Sequence, residues 1–320
     1  RTDDEIRQLA DSFQEINKAH LPRLSEPRKT LASNDGGHIG TRLKQFFPQL
    51  NTLLSRDLKL QMRDLTSFSL NALTAPLATA MIAVAANNRS IFDTSAAIKA
   101  TSFADALRVL FVIICSSVWV GLSSSLQAIV KERPIFVRER AFNLLPEAYL
   151  SSKIVVMASQ AFIQAALIAV AVQLLFDAPP KVELWPLRVG AITFITLLAI
   201  GSQALTVSIL ARNNQQASSI APLLLIPQLV FGGVLFTLKD SARNIYPLIT
   251  SRWSMRALGS VTQITSLIPG GEAAVSMVPG ALDYSQSGNT ISQALTVMAI
   301  QSAFLLTTSL CILLFAKQNR

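Results

Sequence analysis

The side chains that could carry chemistry are concentrated in one segment of mixed charge, Lys131-Glu-Arg-Pro-Ile-Phe-Val-Arg-Glu-Arg140. Its acidic and basic groups can form ion pairs, and Ile135-Phe-Val137 at its centre offers an apolar contact. Two long runs without a formal charge, Val109–Val130 and Ile154–Phe176, flank the segment. Charges between two such runs must face water, because a bilayer core accommodates them only at high cost. The pattern predicts a contact surface for a soluble partner, and anchoring of the bases to anionic headgroups is the alternative.

Motifs for catalysis or nucleotide binding are absent from this sequence. It contains no Gly-x-x-x-x-Gly-Lys-Ser/Thr loop for nucleotide phosphates, no His-Glu-x-x-His and no Gly-x-Ser-x-Gly elbow. Cys115 and Cys311 lie inside apolar runs and are interpreted as packing residues, while His20 and His38 form no ligand set. We therefore predict no catalytic, metal-binding or cofactor-binding residue in this chain.

Composition favours a membrane protein. Hydrophobic residues make up 51% of the 320 residues and charged residues only 15%, whereas soluble domains are about one quarter charged. The net charge of +9 could suggest nucleic acid. The bases lie in the N-terminal segment and in short stretches between apolar runs, as expected at membrane flanks. Nucleic-acid binding is therefore not expected.

The apolar runs predict an all-α polytopic membrane protein with six transmembrane helices, because about 20 apolar residues cross a bilayer as a helix. None of the six runs contains Asp, Glu, Lys or Arg. A proton- or ion-coupled carrier usually needs such groups in the membrane, so secondary transport and intramembrane catalysis are disfavoured. The predicted spans are Leu65–Ala86, Val109–Val130, Ile154–Phe176, Val189–Ala211, Ala217–Phe236 and Gln293–Phe315.

The polar remainder divides into three parts. Residues 1–41 predict a linker with a short helix over Asp3–His20, and the start at Arg1 suggests the C-terminal part of a longer polypeptide. Residues 42–64 carry Leu and Phe at helical spacing among bases, which predicts an amphipathic helix at the membrane interface, or else one packed on a soluble domain. Residues 65–320 form the six-span domain. Its outer segment 237–292 is predicted to hold interfacial or re-entrant helices, because its apolar pieces Val261–Gly271 and Ala273–Leu282 are too short to span a bilayer.

The positive-inside rule gives an orientation. Five bases lie between the second and third predicted spans, so this segment and both termini are predicted to be cytoplasmic. These bases are Lys131, Arg133, Arg138, Arg140 and Lys153.

Together these features resemble the membrane domain of ATP-binding-cassette (ABC) transporters of the G subfamily, including bacterial-type half-transporters, over about residues 43–316. The charged motif after the second predicted span carries the resemblance most specifically. Three further segments also match: Tyr149-Leu-Ser-Ser-Lys153, Val230-Phe-Gly-Gly-Val-Leu-Phe236 and Ser251-Arg-Trp-Ser-Met-Arg-Ala-Leu-Gly259.

The resemblance implies a nucleotide-binding domain, upstream of residues 1–41 in a longer chain or else on a separate subunit, with ATP and Mg²⁺ bound there and not in this chain. By the same resemblance, residues 42–64 are implied to be the connecting helix between the two domains. It also implies that 131–149 is a coupling segment contacting that ATPase domain, and that two such membrane domains form a homodimer. The implied coupling residues are Arg133, Ile135, Phe136, Arg138, Glu139 and Arg140.

The implied substrate path follows the second and fifth spans, with Phe111, Trp119, Val234 and Leu235 as candidate lining residues. Ordinary helix packing or lipid contact is the alternative for all four. The function implied is ATP-driven export of hydrophobic or amphipathic substrates by alternating access, in a bacterial inner (plasma) membrane. A membrane scaffold or sensor that recruits a soluble partner without transport is the second hypothesis.

Overall fold

The computed structural model describes residues 38–87, 89–92, 102–179, 182–234, 245–269, 275, 277–278, 281–284 and 288–315. Within these residues the chain is all-helical and contains no β-strand, which confirms the predicted class. The helices are α1 (His38–Arg63), α2 (Leu65–Ala86), α3 (Ser102–Ser125), α4 (Arg133–Ala141), α5 (Pro146–Leu175), α6 (Trp185–Leu210), α7 (Asn214–Val230), α8 (Thr250–Val261) and α9 (Gly288–Phe315). Short 3₁₀ helices cover Val130–Glu132, Tyr246–Leu248, Ile264–Leu267 and Ala281–Tyr284.

The chain divides into two units, Arg1–Gln45 and Phe46–Arg320. In the first unit, the described residues are the beginning of α1. The predicted short helix Asp3–His20 and residues 1–37 of the predicted linker lie outside the described residues. The second unit contains the remainder of α1 and all other helices.

Five helical stretches in the described residues are long and apolar enough to cross a membrane. α2 coincides with the first predicted span, and its first turn is capped by the Asp64 carboxylate, which accepts a hydrogen bond from Ser67 N–H at 3.2 Å. The second stretch runs from α3 into α4, and the remaining stretches correspond to α5, α6 and α9. Their bounds are Leu65–Ala86, Ser102–Ala141, Pro146–Leu175, Trp185–Leu210 and Thr290–Phe315.

The predicted span Ala217–Phe236 is not among these five. The structure has α7 there, a helix of 17 residues that contains Pro222 and Pro227 and ends at Val230. A turn follows in which Gly233 adopts a φ of 88°, a conformation that glycine reaches without steric cost. Because residues 235–244 lie outside the described residues, the sixth span stays a prediction.

α6 is the central helix of the bundle. In the most apolar 18 residues of α6, 72% of the residues are buried. The corresponding fraction is 17% in α2 and in α9, so these two helices expose much of their surface. Close approach of α3 to α6 depends on a small residue, since a Cβ placed on Gly121 would lie 3.1 Å from Ile200. α6 therefore connects the helices that carry the candidate sites.

Helix α8 was not predicted as an element. Its 12 residues are too few to span a bilayer, yet ten of them are buried. Several of the buried residues are small or hydroxylated, and Ser254 Oγ lies 2.7 Å from Thr196 Oγ1 of α6. The sequence instead indicated short apolar pieces at 261–271 and 273–282. The first contains the 3₁₀ helix Ile264–Leu267, and half of the second lies outside the described residues.

Candidate functional site

At one end of the spans, five charged side chains from four segments form a connected network of ion pairs. Arg56 and Asp57 come from α1, Glu132 from the 3₁₀ turn before α4, Glu139 from α4 and Lys153 from α5. The segments it joins are distant in sequence, as 83 residues separate Arg56 from Glu139. The network holds α1 and α4 against the beginning of α5.

Lys153 is the most deeply buried cation of this network, with 7% of its side chain exposed. Its Nζ lies 3.0 Å from Oδ2 of Asp57, which is 4% exposed, and 2.8 Å from Oε2 of Glu132. The Tyr149 hydroxyl donates a further hydrogen bond to Glu132 at 3.3 Å. Burial of an ammonium is tolerated only when such partners replace its hydration.

The expectation that no charged residue is buried within a span needs correction at Lys153. α5 begins at Pro146, eight residues before the predicted start at Ile154, and so includes this lysine in a candidate span. Sequence reasoning did not predict that Lys153 and Asp57 are buried, because each lies in a stretch where other charged residues face water. The available signal was the position of Lys153 directly before an uninterrupted apolar run.

Arg56 connects the network to α4. Its Nη1 lies 3.1 Å from Oε1 of Glu139, and its Nη2 lies 3.3 Å from Oε2 of Glu132. Burial alone would lower the pKa of Arg56, but the carboxylates of Glu132, Asp57 and Glu139 together raise it above its ordinary value. The guanidinium is therefore a permanent cation at this junction.

Three other predicted coupling residues attach α4 to the spans. Phe136 is buried against Tyr149 of α5, with ring centroids 4.6 Å apart. The Arg133 guanidinium donates to the carbonyl of Ala211, just after α6, at 2.7 Å. Arg140 donates to two carbonyls near the end of α9, those of Leu313 at 2.7 Å and Leu314 at 3.1 Å. With Glu139, these contacts connect α4 to the ends of α1, α5, α6 and α9.

The remaining predicted coupling residues form the outward face of α4. Ile135 is 41% exposed, the neighbouring Val137 is 52% exposed, and Arg138 is exposed. Exposed branched apolar side chains next to a base suit the edge of a protein–protein contact. The predicted coupling set thus divides into an inward group that attaches α4 and an outward group that is open to contact.

Two of the four candidate substrate-path residues, Phe111 and Trp119, lie on one side of α3. Phe111 and Trp119 are two turns apart on a stripe with Cys115 between them, Phe111 and Cys115 being partly buried and Trp119 48% exposed. The Phe111 ring approaches the Gly232 backbone after α7. Val234 is partly buried on the same apolar core, while Leu235 lies outside the described residues.

A second polar network, without charges, lies between α6, α7, α8 and α9. The Gln203 amide donates to Thr250 Oγ1 at 2.8 Å, and this hydroxyl donates to Gln301 Oε1 at 3.0 Å. The Gln228 amide donates to Gln203 Oε1 at 3.4 Å and accepts from Ser251 N–H at 2.9 Å. Sequence reasoning did not identify this network, because its members come from four separate segments.

Comparison with known proteins defines the class. The family model described as ABC-2 type transporter matches residues 48–261, and the chain belongs to this family of integral membrane proteins. The match runs from α1 to the end of α8 and includes the whole ion-pair network.

A curated relative is the ABC transporter ATP-binding/permease protein of Mycobacterium tuberculosis (strain ATCC 25618 / H37Rv). It is 25% identical over an alignment of 177 positions, which covers 51% of this chain and 20% of the relative. The chain therefore spans about a fifth of that relative's length. The family match and this similarity support a membrane domain of an ABC transporter, a class that associates with a nucleotide-binding partner.

Proposed function

We propose that this chain is the transmembrane domain of an ATP-driven exporter of the G subfamily, energised by a nucleotide-binding domain outside residues 1–320. ATP and Mg²⁺ bind to that domain. The cargo is hydrophobic or amphipathic and moves by alternating access. The observation that carries the proposal is the attachment of α4 to the ends of several spans, with its outward face left open to a soluble partner.

The attachment of α4 explains how an ATPase domain can act on the spans. Arg133 and Arg140 hydrogen-bond to carbonyls at the ends of α6 and α9, while Glu139 pairs with Arg56 of α1. A displacement of α4 therefore acts on three helices together. A partner shifts the equilibrium between two access states only if it contacts them differently, and the outward face of α4 is positioned to receive that bias.

The substrate path in this proposal follows α3 and the turn after α7 in a homodimer. The stripe Phe111, Cys115 and Trp119 offers partly exposed apolar surface, and Gly232 allows the backbone to approach it closely. Two copies of this surface would face each other across the dimer axis. Val234 and Leu235 would lie above the substrate cavity enclosed between the two copies.

The proposed orientation places α4 in the cytoplasm of a bacterial cell, with the spans in the inner (plasma) membrane. α4 and its preceding turn carry Lys131, Arg133, Arg138 and Arg140, a density of bases typical of cytoplasmic loops. An odd number of membrane crossings cannot place both termini in the cytoplasm. The sixth crossing through α7 is therefore part of this proposal.

The test is charge reversal on the outward face of α4. In proteoliposomes that contain the chain with its nucleotide-binding domain, Arg138→Glu should reduce ATP-dependent export of fluorescent amphipathic dyes about tenfold, while dimer formation stays unchanged. Arg188→Glu is the matched control, because Arg188 is exposed in the first turn of α6 and the whole of α5 separates it in sequence from α4. This variant should export at the unmodified rate.

Unchanged export by Arg138→Glu would contradict the coupling role. The scaffold hypothesis would be favoured instead if the unmodified protein bound the nucleotide-binding domain but exported no dye in the presence of ATP.

A further inference from the structure

A cavity of about 370 Å³ with polar and apolar walls opens beside the ion-pair network, between the end of α1, the beginning of α2, the end of α3 and the first half of α5. Its volume is within the range of small-molecule sites. It lies apart from the Phe111–Trp119 stripe, because none of the stripe residues lines it. The proposed substrate path therefore does not account for this cavity.

The wall of the cavity is rich in uncharged hydrogen-bonding groups. Amides and hydroxyls from α2, α3, α5 and the turn after α3 face it. These residues include Ser67, Asn71, Ser124, Gln127, Gln160 and Gln164. Ser124 donates to the Gly121 carbonyl and Gln127 donates to Ser218, so these two residues offer mainly their oxygens as acceptors for the hydroxyls of a sugar or of glycerol.

Gln164 indicates that the cavity is built for a ligand. This side chain is 3% exposed and lines the cavity, yet its amide makes no hydrogen bond to any residue in the described part of the chain. Enough of the amide reaches the cavity for it to contact water or a ligand there. A ligand that donates to its oxygen and accepts from its nitrogen would take the place of that water.

The charges around the cavity disfavour an ionic ligand. The Lys153 ammonium is already paired with Asp57 and Glu132, and the Asp64 carboxylate accepts from Ser67 N–H. The three carboxylates outnumber Lys153 and Lys131, so an anionic phosphate would meet net negative charge. A cation would find each of these carboxylates already engaged. The chemistry fits an uncharged group with many hydroxyls.

The depth of the cavity matches a lipid headgroup with its chains in the bilayer. Asp64 and Lys131, which border the spans, lie at the end of the cavity near the membrane interface. Gln164 lies eleven residues beyond Lys153 on α5, a distance of about 16 Å along the helix axis. Phe68 and Val156 add apolar surface to the wall. Hydrogen-bonding groups thus extend from the interface into the membrane next to apolar side chains.

We propose that this cavity binds an uncharged polyhydroxyl group, either the sugar headgroup of a membrane glycolipid or a free sugar, through the Gln164 amide and the surrounding hydroxyls. This binding is a property of the membrane domain itself and does not depend on the proposed ATP-driven export.

The test uses native mass spectrometry of the purified chain in a polyoxyethylene detergent. Glucosyl diacylglycerol should be retained severalfold more than phosphatidylglycerol with the same acyl chains. Gln164→Leu should lower this retention about fivefold, as expected for the loss of one or two hydrogen bonds. Gln173→Leu is the matched control, because it makes the same substitution at an exposed position of the same helix and should leave retention unchanged.

Thermal unfolding separates binding from folding. Gln164→Leu should be at least as stable as the unmodified chain without lipid, but only the unmodified chain should gain stability from glucosyl diacylglycerol. In a parallel arm with methyl glucoside, protection by this sugar would assign the ligand to free sugar, and its absence would assign it to the lipid. Equal retention by Gln164→Leu, or equal retention of phosphatidylglycerol, would overturn the proposal and leave a hydrated cavity only.

Discussion

Two polar networks lie in this membrane domain, and they differ in charge. The network around Lys153 consists of five ionised side chains, at the end of the spans where α1 and α4 meet α5. The network around Gln228 consists of amides and hydroxyls and reaches farther along the helices. Gln203, one of its members, lies seven residues before the end of α6, about 10 Å inside.

The difference follows from the cost of removing charge from water. An ionised group buried in an apolar medium loses several kcal/mol of hydration even after relaxation, whereas an unpaired amide loses about 1 to 3 kcal/mol. The ion pairs therefore lie at the end of the spans, where α1 supplies Arg56 and Asp57 as counter-charges. The network farther along the helices consists of neutral hydrogen bonds. The comparison predicts that single substitutions should be costliest in the charged network.

The largest effect is expected for Lys153→Met. This change leaves the buried Asp57 carboxylate without its closest cation and should lower the free energy of unfolding by about 3 kcal/mol. Denaturant titration in detergent micelles would measure it. The exposed Lys131→Met serves as the control and should change stability far less. A loss under about 1 kcal/mol at Lys153 would remove the contrast between the networks.

A smaller effect is expected for Gln228→Leu in the neutral network. The substitution removes the acceptor of Ser251 N–H and the donor to Gln203, which should cost about 1 kcal/mol in the same titration. Gln215→Leu, at an exposed position of the same helix, should be close to neutral. If Gln228→Leu proved more damaging than Lys153→Met, our ranking of the two networks would be wrong.

The smallest effect is expected for Arg108→Ala. Arg108 pairs with Asp105 one turn away at 2.8 Å, but its side chain is 69% exposed. Exposed pairs within a helix contribute less than about 0.5 kcal/mol after solvent screening. A melting temperature within error of the unmodified chain would agree with this expectation. A clear destabilisation would show that exposure alone does not separate weak ion pairs from strong ones here.

Long apolar runs made much of the fold predictable. α2 lies at the predicted bounds, and α5, α6 and α9 overlap their predicted spans. Such spans are predictable because the hydrophobicity of about 20 residues adds up over the whole run. Helix ends were less predictable, since α5 begins at Pro146, eight residues before the predicted span begins at Ile154. α8 was missed because its burial depends on small and hydroxylated residues such as Ser254.

The candidate site was predictable in position but not in contacts. Composition and spacing drew attention to the segment around Glu139, whereas its partner Arg56 lies 83 residues away on α1. No local pattern distinguishes the inward Phe136 from the outward Val137 in a helix of nine residues. That distinction requires the packing of Phe136 against Tyr149, which only the tertiary structure provides.

Site-specific photo-cross-linking from α4 tests the central claim most directly. A benzophenone side chain at Val137, in the chain assembled with its nucleotide-binding domain, should cross-link to that domain. The same group at Leu187, an exposed apolar position near the start of α6, should not. Cross-linking from Val137 alone is the result we predict. No cross-link from Val137 in a protein that still hydrolyses ATP, or equal cross-linking from Leu187, would contradict the assignment of α4 as the contact surface.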